Sequence, residues 1–554
     1  MSKAVSLLFA LFLLACQNSH SQDTDVYFSN KIDSLDQVHA LNISISKPKG
    51  CAYVISVRNQ KEFNAINESI KAAIETGEKN IRVKIKKGVY QFRENHLRLV
   101  IFHYPDVSIT LEGKNAVITS DVEYSLSSHG DSPWQAVSFA DNLIEIVDKE
   151  QKFCFLPFQN NIDEAAEYSK IQVTQWFRAP VYDISKIDEK GVYFNAPELN
   201  YIEQFGRKGY SVNYDYLYSG KKPRFRLYDK SLERPCTASC FLNLKQCTFN
   251  SLLIKGIAFR SNKEGAALIS LNDVHARHIL IEGCEFNAIR GAVLGASKTD
   301  NVFFNRNLVT KTSGDEVSFT NGCRNVRVTQ CVFSQCGQKL SNTMCVRCNE
   351  SEYYIANNKF SDFGYCAIGV GLWHGHNKRC ETRGIIEHNE ICFTPEYIAQ
   401  KEKYTLMDAG AIYVWTQNDD AIIRYNYIHD YGGMRFNSGI YCDDGASNCK
   451  IYNNVILNTT DGCSITSRRV EDQKEGFRNN ANNFIANNVV DGAVVFGCSD
   501  KDERHCQKGA NYVIRTGAQT NYVDKFENLE RSEEDVVITS DKLIRKMIKQ
   551  CTHQ

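Results

Sequence analysis

The chain has 554 residues, room for one very large domain or several ordinary ones. Lys plus Arg number 65 and Asp plus Glu 65, a formal net charge of zero that speaks against a nucleic-acid or acidic-lipid partner. Pro is scarce, nine residues, and no long low-complexity tract breaks the chain into linkers.

The first element is apolar. In "MSKAVSLLFALFLLACQNSHSQ", Lys3 precedes a run from Ala4 to Ala15 that is short for a spanning helix and has the layout of a signal peptide. It ends Leu13-Leu14-Ala15-Cys16, which resembles a bacterial lipobox. The resemblance implies a signal peptide over 1–15, lipidation of Cys16, a tether over 16–50, and an exported outer-membrane lipoprotein facing the periplasm or the cell surface. An ordinary secretory signal cleaved near Ser21 is the alternative. Twenty of the 21 cysteines remain after Cys16. Export permits disulfides, but a chain this long does not need stapling. Cys284, Cys331, Cys442 and Cys463 replace apolar or Asn residues of a repeat, so mostly buried thiols and a few disulfides are expected. Cys236/Cys240 and Cys345/Cys348 have short metal-like spacings, but no His follows at zinc spacing, and no metal is expected.

Residues 51–120 open with Phe63, Ile66, Ile70 and Ile74 at helical spacing, then an alternating strand, then Gly88-Val89-Tyr90 and "VSITLEGKNAVITS". This resembles the opening of pectate-lyase-like β-helix enzymes, which implies a short helix covering the first coil and shielding its open edge. Residues 121–235 alternate in places and are rich in Tyr and Phe, but lack the repeat described next. They read as an inserted β-rich subdomain.

From 236 to 500 one pattern recurs: "LIKGIAF" (253–259), "LIEGCEF" (280–286), "FFNRNLV" (303–309), "RVTQCVF" (327–333), "YIANNKF" (354–360), "IIEHNEI" (385–391), "IIRYNYI" (422–428), "KIYNNVI" (450–456) and "FIANNVV" (484–490). The shared position reads Ile257, Cys284, Asn307, Cys331, Asn358, Asn389, Asn426, Asn454 and Asn488. Each unit alternates with strand period two and leaves no room for a helix. One short strand cannot bury its apolar side alone, whereas stacked coils bury a continuous core and align inward Asn residues into ladders. The pattern predicts an all-β chain, a right-handed parallel β-helix with an N-terminal capping helix and the inserted subdomain. A leucine-rich solenoid would need many more Leu at fixed positions. Residues 501–554 end in "EEDVVITSDKLIRKMIKQ", a strand and helix expected to form a C-terminal cap.

Alternate strand residues face opposite ways. Aligning "EVSFT" (316–320), "AIGVGLWHGH" (367–376), "AIYVW" (411–415), "GIYCDD" (439–444) and "CSITSR" (463–468) predicts an inward set that includes Val317, Phe319, Ile368, Val370, Ile412, Val414, Ile440, Cys442 and Ile465. The outward set holds Ser318, Gly369, Gly371, Trp373, Tyr413, Trp415, Tyr441, Asp443 and Thr466, with His374, His376, Arg468 and Arg469 at its margins. Aromatic faces, small residues and acids together suit a sugar. The tyrosines alone are equally explained by an outward aromatic ladder.

Coils lie about 4.8 Å apart, so acids one or two coils apart can stand about 5 or 10 Å apart. Those separations span the roughly 5–5.5 Å of retaining and 6.5–9.5 Å of inverting glycosidases. Asp408 in "LMDAGAIYVW" is the favoured partner for Asp443 or Asp444, with Glu316 and Asp315 next. "DAGAIYVW…NYIHD…GIYCDDGASNCKIYNNVI" resembles carbohydrate-active β-helix proteins of Bacteroidetes, among them families with fucosidase, xylosidase, xylanase or galactosidase activity. The resemblance implies a glycoside hydrolase acting on a polysaccharide or oligosaccharide. Its catalytic acids would come from Asp408, Asp443 and Asp444, and its substrate contacts from Trp373, His374, Tyr413, Trp415, Tyr441, Arg468 and Glu316. Two alternatives are a polysaccharide lyase using Arg468 or Arg469 as base, with Ca²⁺ as its cofactor, and a non-catalytic glycan-binding surface protein. Asp443-Asp444-Gly445 also reads as a turn that caps its own backbone.

Overall fold

In a computed structural model, the description covers residues 52–120, eight segments between 134 and 229, and then 240–261, 267–337, 343–371, 382–399, 409–415, 421–431, 437–443, 445–459, 463–467, 483–496 and 541–552, with a few isolated residues and short strands besides. Thirty-two strands form one sheet that winds as a right-handed parallel β-helix. Through the repeats from Glu285 to Lys508, each strand pairs with the third one after it: Val317–Thr320 with Met344–Cys348, Val326–Thr329 with Glu352–Ala356, and Val332–Cys336 with Lys359–Phe363. One coil therefore presents three strands, and the solenoid has three faces, numbered here in that order.

The repeat unit bends where the pattern alone suggested one short strand. "YIANNKF" is the end of strand Glu352–Ala356, a corner at Asn357, and the start of strand Lys359–Phe363. Asn357 sits at φ 58, and the same corner is left-handed at Arg306, Gln330, His388, Tyr425, Asn453 and Asn487. Gly256 and Gly283 hold it without strain, while an L-residue there costs about 1–2 kcal/mol. The amide just past the corner offsets that cost. Asn454 Nδ2 donates to Ile423 O at 2.9 Å and Tyr452 O at 3.2 Å, and its Oδ1 accepts the Asn426 backbone N–H at 3.0 Å.

Those amides stack. Nδ2-to-Oδ1 bonds join Asn358 to Asn389, Asn389 to Asn426 and Asn426 to Asn454 at 3.0 Å each, Asn454 to Asn488 at 2.9 Å, and Asn488 to Asn511 at 3.0 Å. Asn511 extends the ladder one coil beyond the repeats visible in the sequence. Further up the stack, rings fill the interior instead. Phe259, Phe286, Phe304, Phe333 and Phe360 follow one another at centroid distances of 5.2, 5.6, 6.4 and 4.9 Å. Phe304 comes from the second face and fills the column where Val309, in register with Phe286 and Phe333, is too small.

Helix Ile66–Glu75 lays Ile66, Ile70, Ala73 and Ile74 against the first coils, and Phe63 stacks on His96 at 4.2 Å. The chain leaves the solenoid after Ser120 and returns beside the strand it left, with Leu242 registered on Leu97 and Phe259 on Ile118. Between those points lies a seven-stranded antiparallel sheet with its own core around Leu156, Ile171, Val192, Phe194 and Leu227. Helix Asp541–Thr552 packs on strands Tyr427–His429 and Val455–Leu457. It lies along the flank, with Cys551 buried among Val455 and Val489 and near Tyr425, Tyr427 and Leu457. Fourteen of the described cysteines, Cys284, Cys331 and Cys442 among them, are buried.

Candidate functional site

The first face carries the aromatic and acidic column. Strand register stacks Gly369, Tyr413, Tyr441 and Thr466 in one line and Gly371, Trp415 and Asp443 in the next. Val370, Val414 and Cys442 run between them, Ile368, Ile412, Ile440 and Ile465 flank the first line, and all are wholly buried in the core. The inward and outward parity thus follows the pleat.

Tyr413 donates its phenol proton to Asp443 Oδ2 at 2.7 Å. Its ring lies 5.0 Å from both Trp415 and Tyr441, and 6.1 Å from Tyr365, which meets it edge-on. Met344, Cys366 and Ala409 complete the cluster. The face is not open: Asp443 and Trp415 are each only 7% exposed. Placing a carboxylate there costs several kcal/mol unless hydrogen bonds and charges compensate. Trp415 adds a buried indole N–H with no hydrogen-bond partner among the described residues. Such a donor costs about 1–3 kcal/mol when unpaired.

The two glycines do not leave room for a sugar ring. A Cβ on Gly369 would lie 1.9 Å from Met344 Sδ and 3.0 Å from the Trp415 ring. One on Gly371, at φ +105, would lie 1.8 Å from the Trp415 carbonyl oxygen. The space is taken by the Met344 thioether and Trp415 indole at Gly369 and by the Trp415 backbone at Gly371.

Glu316 is a correction. It is 0% exposed and sits at a corner, not on the outer face, because strand parity does not extend through the turn before Val317. Its Oε1 accepts the Gly337 N–H at 3.0 Å and its Oε2 has no partner among the described residues. Burial pushes its carboxyl well above the usual range; the nearby Cys336 thiol adds to this, and Thr312 and Gly337 oppose it. No glycan reaches it. Asp315 pairs with Arg347 at 3.1 Å and accepts the Met344 N–H at 2.9 Å; burial raises its carboxyl despite Arg347. Val317 and Ile440 are four coils apart through Val346, Ile368 and Ile412, about 19 Å, so neither acid pairs with Asp443.

The Asp408–Asp443 pairing lies outside the described residues on one side, that of Asp408. Its neighbour Ala409 is fixed at the far end of the strand. The Ala409 carbonyl accepts the Ser438 N–H at 3.0 Å, whereas Asp443 is registered on Trp415. The six residues between these levels span about 20 Å of extended chain. Coil spacing fixes separation across coils, and the offset along the strand adds to it for Ala409. Asp444, Trp373, His374, Arg468 and Cys16 also lie outside the described residues.

Arg347 was missed in the sequence. Its register on Ser318 and Gly369 puts it in the same outward line as Tyr413. The alternation in "MCVRC", with Val346 and Cys348 buried, was the available signal. Contact with Cys449 and burial hold the Cys442 thiol well above its usual range, and the thiolate is the reactive form.

The fold and this face define a right-handed parallel β-helix with an enclosed aromatic and acidic column. No sequence family and no curated protein matches the chain. It is similar to a solved structure described as a glycoside hydrolase, at 11% identity over 90% of this chain and 98% of that one, with a TM-score of 0.47. It is also similar to a PL6 family alginate lyase, at 12% identity over 88% of this chain and a TM-score of 0.41, spanning 53% of that enzyme's length. A tailspike of Acinetobacter baumannii bacteriophage AP22, in complex with capsular saccharide, matches at 10% identity over 85% of this chain and 76% of that one, TM-score 0.15. None is close enough to carry a residue role across.

Proposed function

We propose that this protein is an exported carbohydrate-active enzyme, a glycoside hydrolase acting on a polysaccharide or oligosaccharide, with Asp443 as one of its two carboxylates. The observation that carries this is the Asp443–Tyr413 pair, a carboxylate held on the outer face of a coil, withdrawn from water and set beside an indole N–H with no partner among the described residues. Aromatic faces stack on sugar C–H surfaces, while the acid and the indole serve hydroxyls or the glycosidic oxygen.

The second carboxylate is Asp408, expected from the sequence, or an acid at the Asp443 end of these strands. None of the neighbouring outward strands, Cys366–Gly371, Gly410–Trp415 and Cys463–Ser467, contains an acid. Asp444 follows Asp443 directly, and Asp419 and Asp420 belong to the connection after Trp415; all three lie outside the described residues. A like charge within reach would raise the acid member of the pair. A lyase would instead need Arg468 or Arg469 as base and Ca²⁺ on several acids. The Leu-Leu-Ala-Cys sequence ending at Cys16 supports lipid anchoring, and a Cys16→Ser form that kept its lipid label would refute it.

A glycan screen tests the enzyme reading. With a substrate in hand, Asp443→Asn should lower kcat by about 10²–10⁴-fold, the usual worth of a positioned acid or base. Tyr413→Phe should lower it about 10-fold or more, since a hydrogen bond to a charged group is worth about 1.5–3 kcal/mol. Full activity in Asp443→Asn ends the assignment. Binding without turnover in the wild type selects the non-catalytic reading.

A further inference from the structure

The third face carries a second cluster that the glycan site does not use. Glu390 and Cys392 are two residues apart on strand Glu390–Cys392, so they share its outer side. His429, on strand Tyr427–His429 of the next coil, is in register with Cys392. One ligand atom from each, a carboxylate oxygen, the thiol sulfur and an imidazole nitrogen, lies within 4.8 Å of the other two. The Glu390 Oε1 to His429 Nε2 distance is 3.6 Å. Two ligands on a tetrahedral zinc, at its usual bond lengths of roughly 2.0–2.3 Å, stand about 3.4 Å apart.

The imidazole is prepared for this role. His429 Nδ1 is bound to Asp430 Oδ2 at 2.7 Å, and the Tyr427 ring stacks on it at 4.2 Å. With Nδ1 bound to the carboxylate, Nε2 is the ring nitrogen that faces Glu390. That nitrogen is buried and has no hydrogen-bond partner among the described residues. A carboxylate behind a ligating histidine is the usual outer support of a metal site. Cys392 is 93% withdrawn from water, and helix Asp541–Thr552 packs on the same strand as His429.

We propose that Glu390, Cys392 and His429 form a three-ligand site for a divalent transition metal, zinc by its donor set. Thiolate, imidazole and carboxylate together suit zinc better than calcium or magnesium, which take oxygen ligands. Thiolate and carboxylate balance the charge of the ion, and the fourth position is left for water. The competing charge is Lys359, whose Nζ holds Glu390 Oε1 at 2.8 Å. The metal takes that oxygen's place as partner, and the half-exposed lysine moves back to solvent.

The test is zinc titration into full-length, tag-free protein after chelation, read by calorimetry and by metal content after gel filtration. One zinc per chain is expected. Cys392→Ser and His429→Gln should each lose that stoichiometry while keeping the far-ultraviolet dichroism of the wild type. Asp430→Asn should weaken binding about 10–100-fold, as loss of outer support does. Lys359→Met should tighten it, an outcome that a purely structural Glu390–Lys359 pair does not produce. With cobalt in place of zinc, a thiolate charge-transfer band should appear in the wild type and vanish in Cys392→Ser. No zinc on the wild type, or equal zinc on Cys392→Ser, overturns the site.

Discussion

Two halves of the same solenoid are held in register by different physics. From Phe259 to Phe360 the interior is a column of stacked rings, and the position after the corner is Ile257, Cys284, Asn307 or Cys331. From Asn358 to Asn511 the rings give way to Ile391, Ile428, Ile456 and Val490, and the amides take over. Ring packing is non-directional, so a gap at Val309 can be filled by Phe304 from another face. Amide bonds are directional and leave no such freedom. The ladder half also carries the first-face column of Tyr413 and Asp443 and the third-face cluster at His429, where loops of very different length leave the coils. A directional ladder keeps those coils in place whatever their loops do.

Breaking the ladder should have the largest effect. Asn454→Leu keeps the branching of the side chain yet leaves the Asn426 N–H and the Ile423 carbonyl without their amide partner. At about 1–3 kcal/mol for each buried group, the loss is about 2–6 kcal/mol in denaturant unfolding. An unchanged midpoint would mean the amides are not structural.

Glu316 sharpens the contrast through pH, because it is a buried acid of the ring half with no ladder to join. Its folded-state pKa is raised above the ordinary 4.5, so the native state binds the extra proton. Its stabilising share is complete below pH about 4.5 and falls as pH rises toward the folded value. Glu316→Gln should flatten the decline of Tm with rising pH and leave the protein more stable than wild type on the alkaline side. Parallel Tm profiles for the two proteins would contradict this.

Phe333→Leu probes the ring half directly. An apolar exchange of similar volume should cost about 1.5 kcal/mol or less, and less than Asn454→Leu, because neighbouring rings can repack. The smallest effect is a gain. Cys331 lies between two ladder amides: its thiol is 3.4 Å from the Asn307 N–H, and its own N–H donates to Asn358 Oδ1 at 2.9 Å. Cys331→Asn should join the two and stabilise the fold by about 0.5–1.5 kcal/mol, the net worth of one hydrogen bond. A destabilised variant would show that the upper coils lack room for the amide.

The solenoid was legible because its physics is local. Period-two alternation fixes which side chains of a strand face inward, and an Asn recurring at one position can be buried only if it meets its own copy one coil away. Hence Ile412 and Ile440 inside, Tyr413 and Asp443 outside, and the ladder from Asn358 to Asn488 follow from residue order alone. Tertiary structure decided what depends on position along and across coils. Alternation stops at corners, so Glu316 turned inward and Met344 covered Gly369. Coil spacing says nothing of offset along a strand, so Ala409 and Asp443 stand at opposite ends of adjacent strands. Cys392 and His429 are neighbours only because the connection between their strands is free to be any length, and no local rule in the chain records that length.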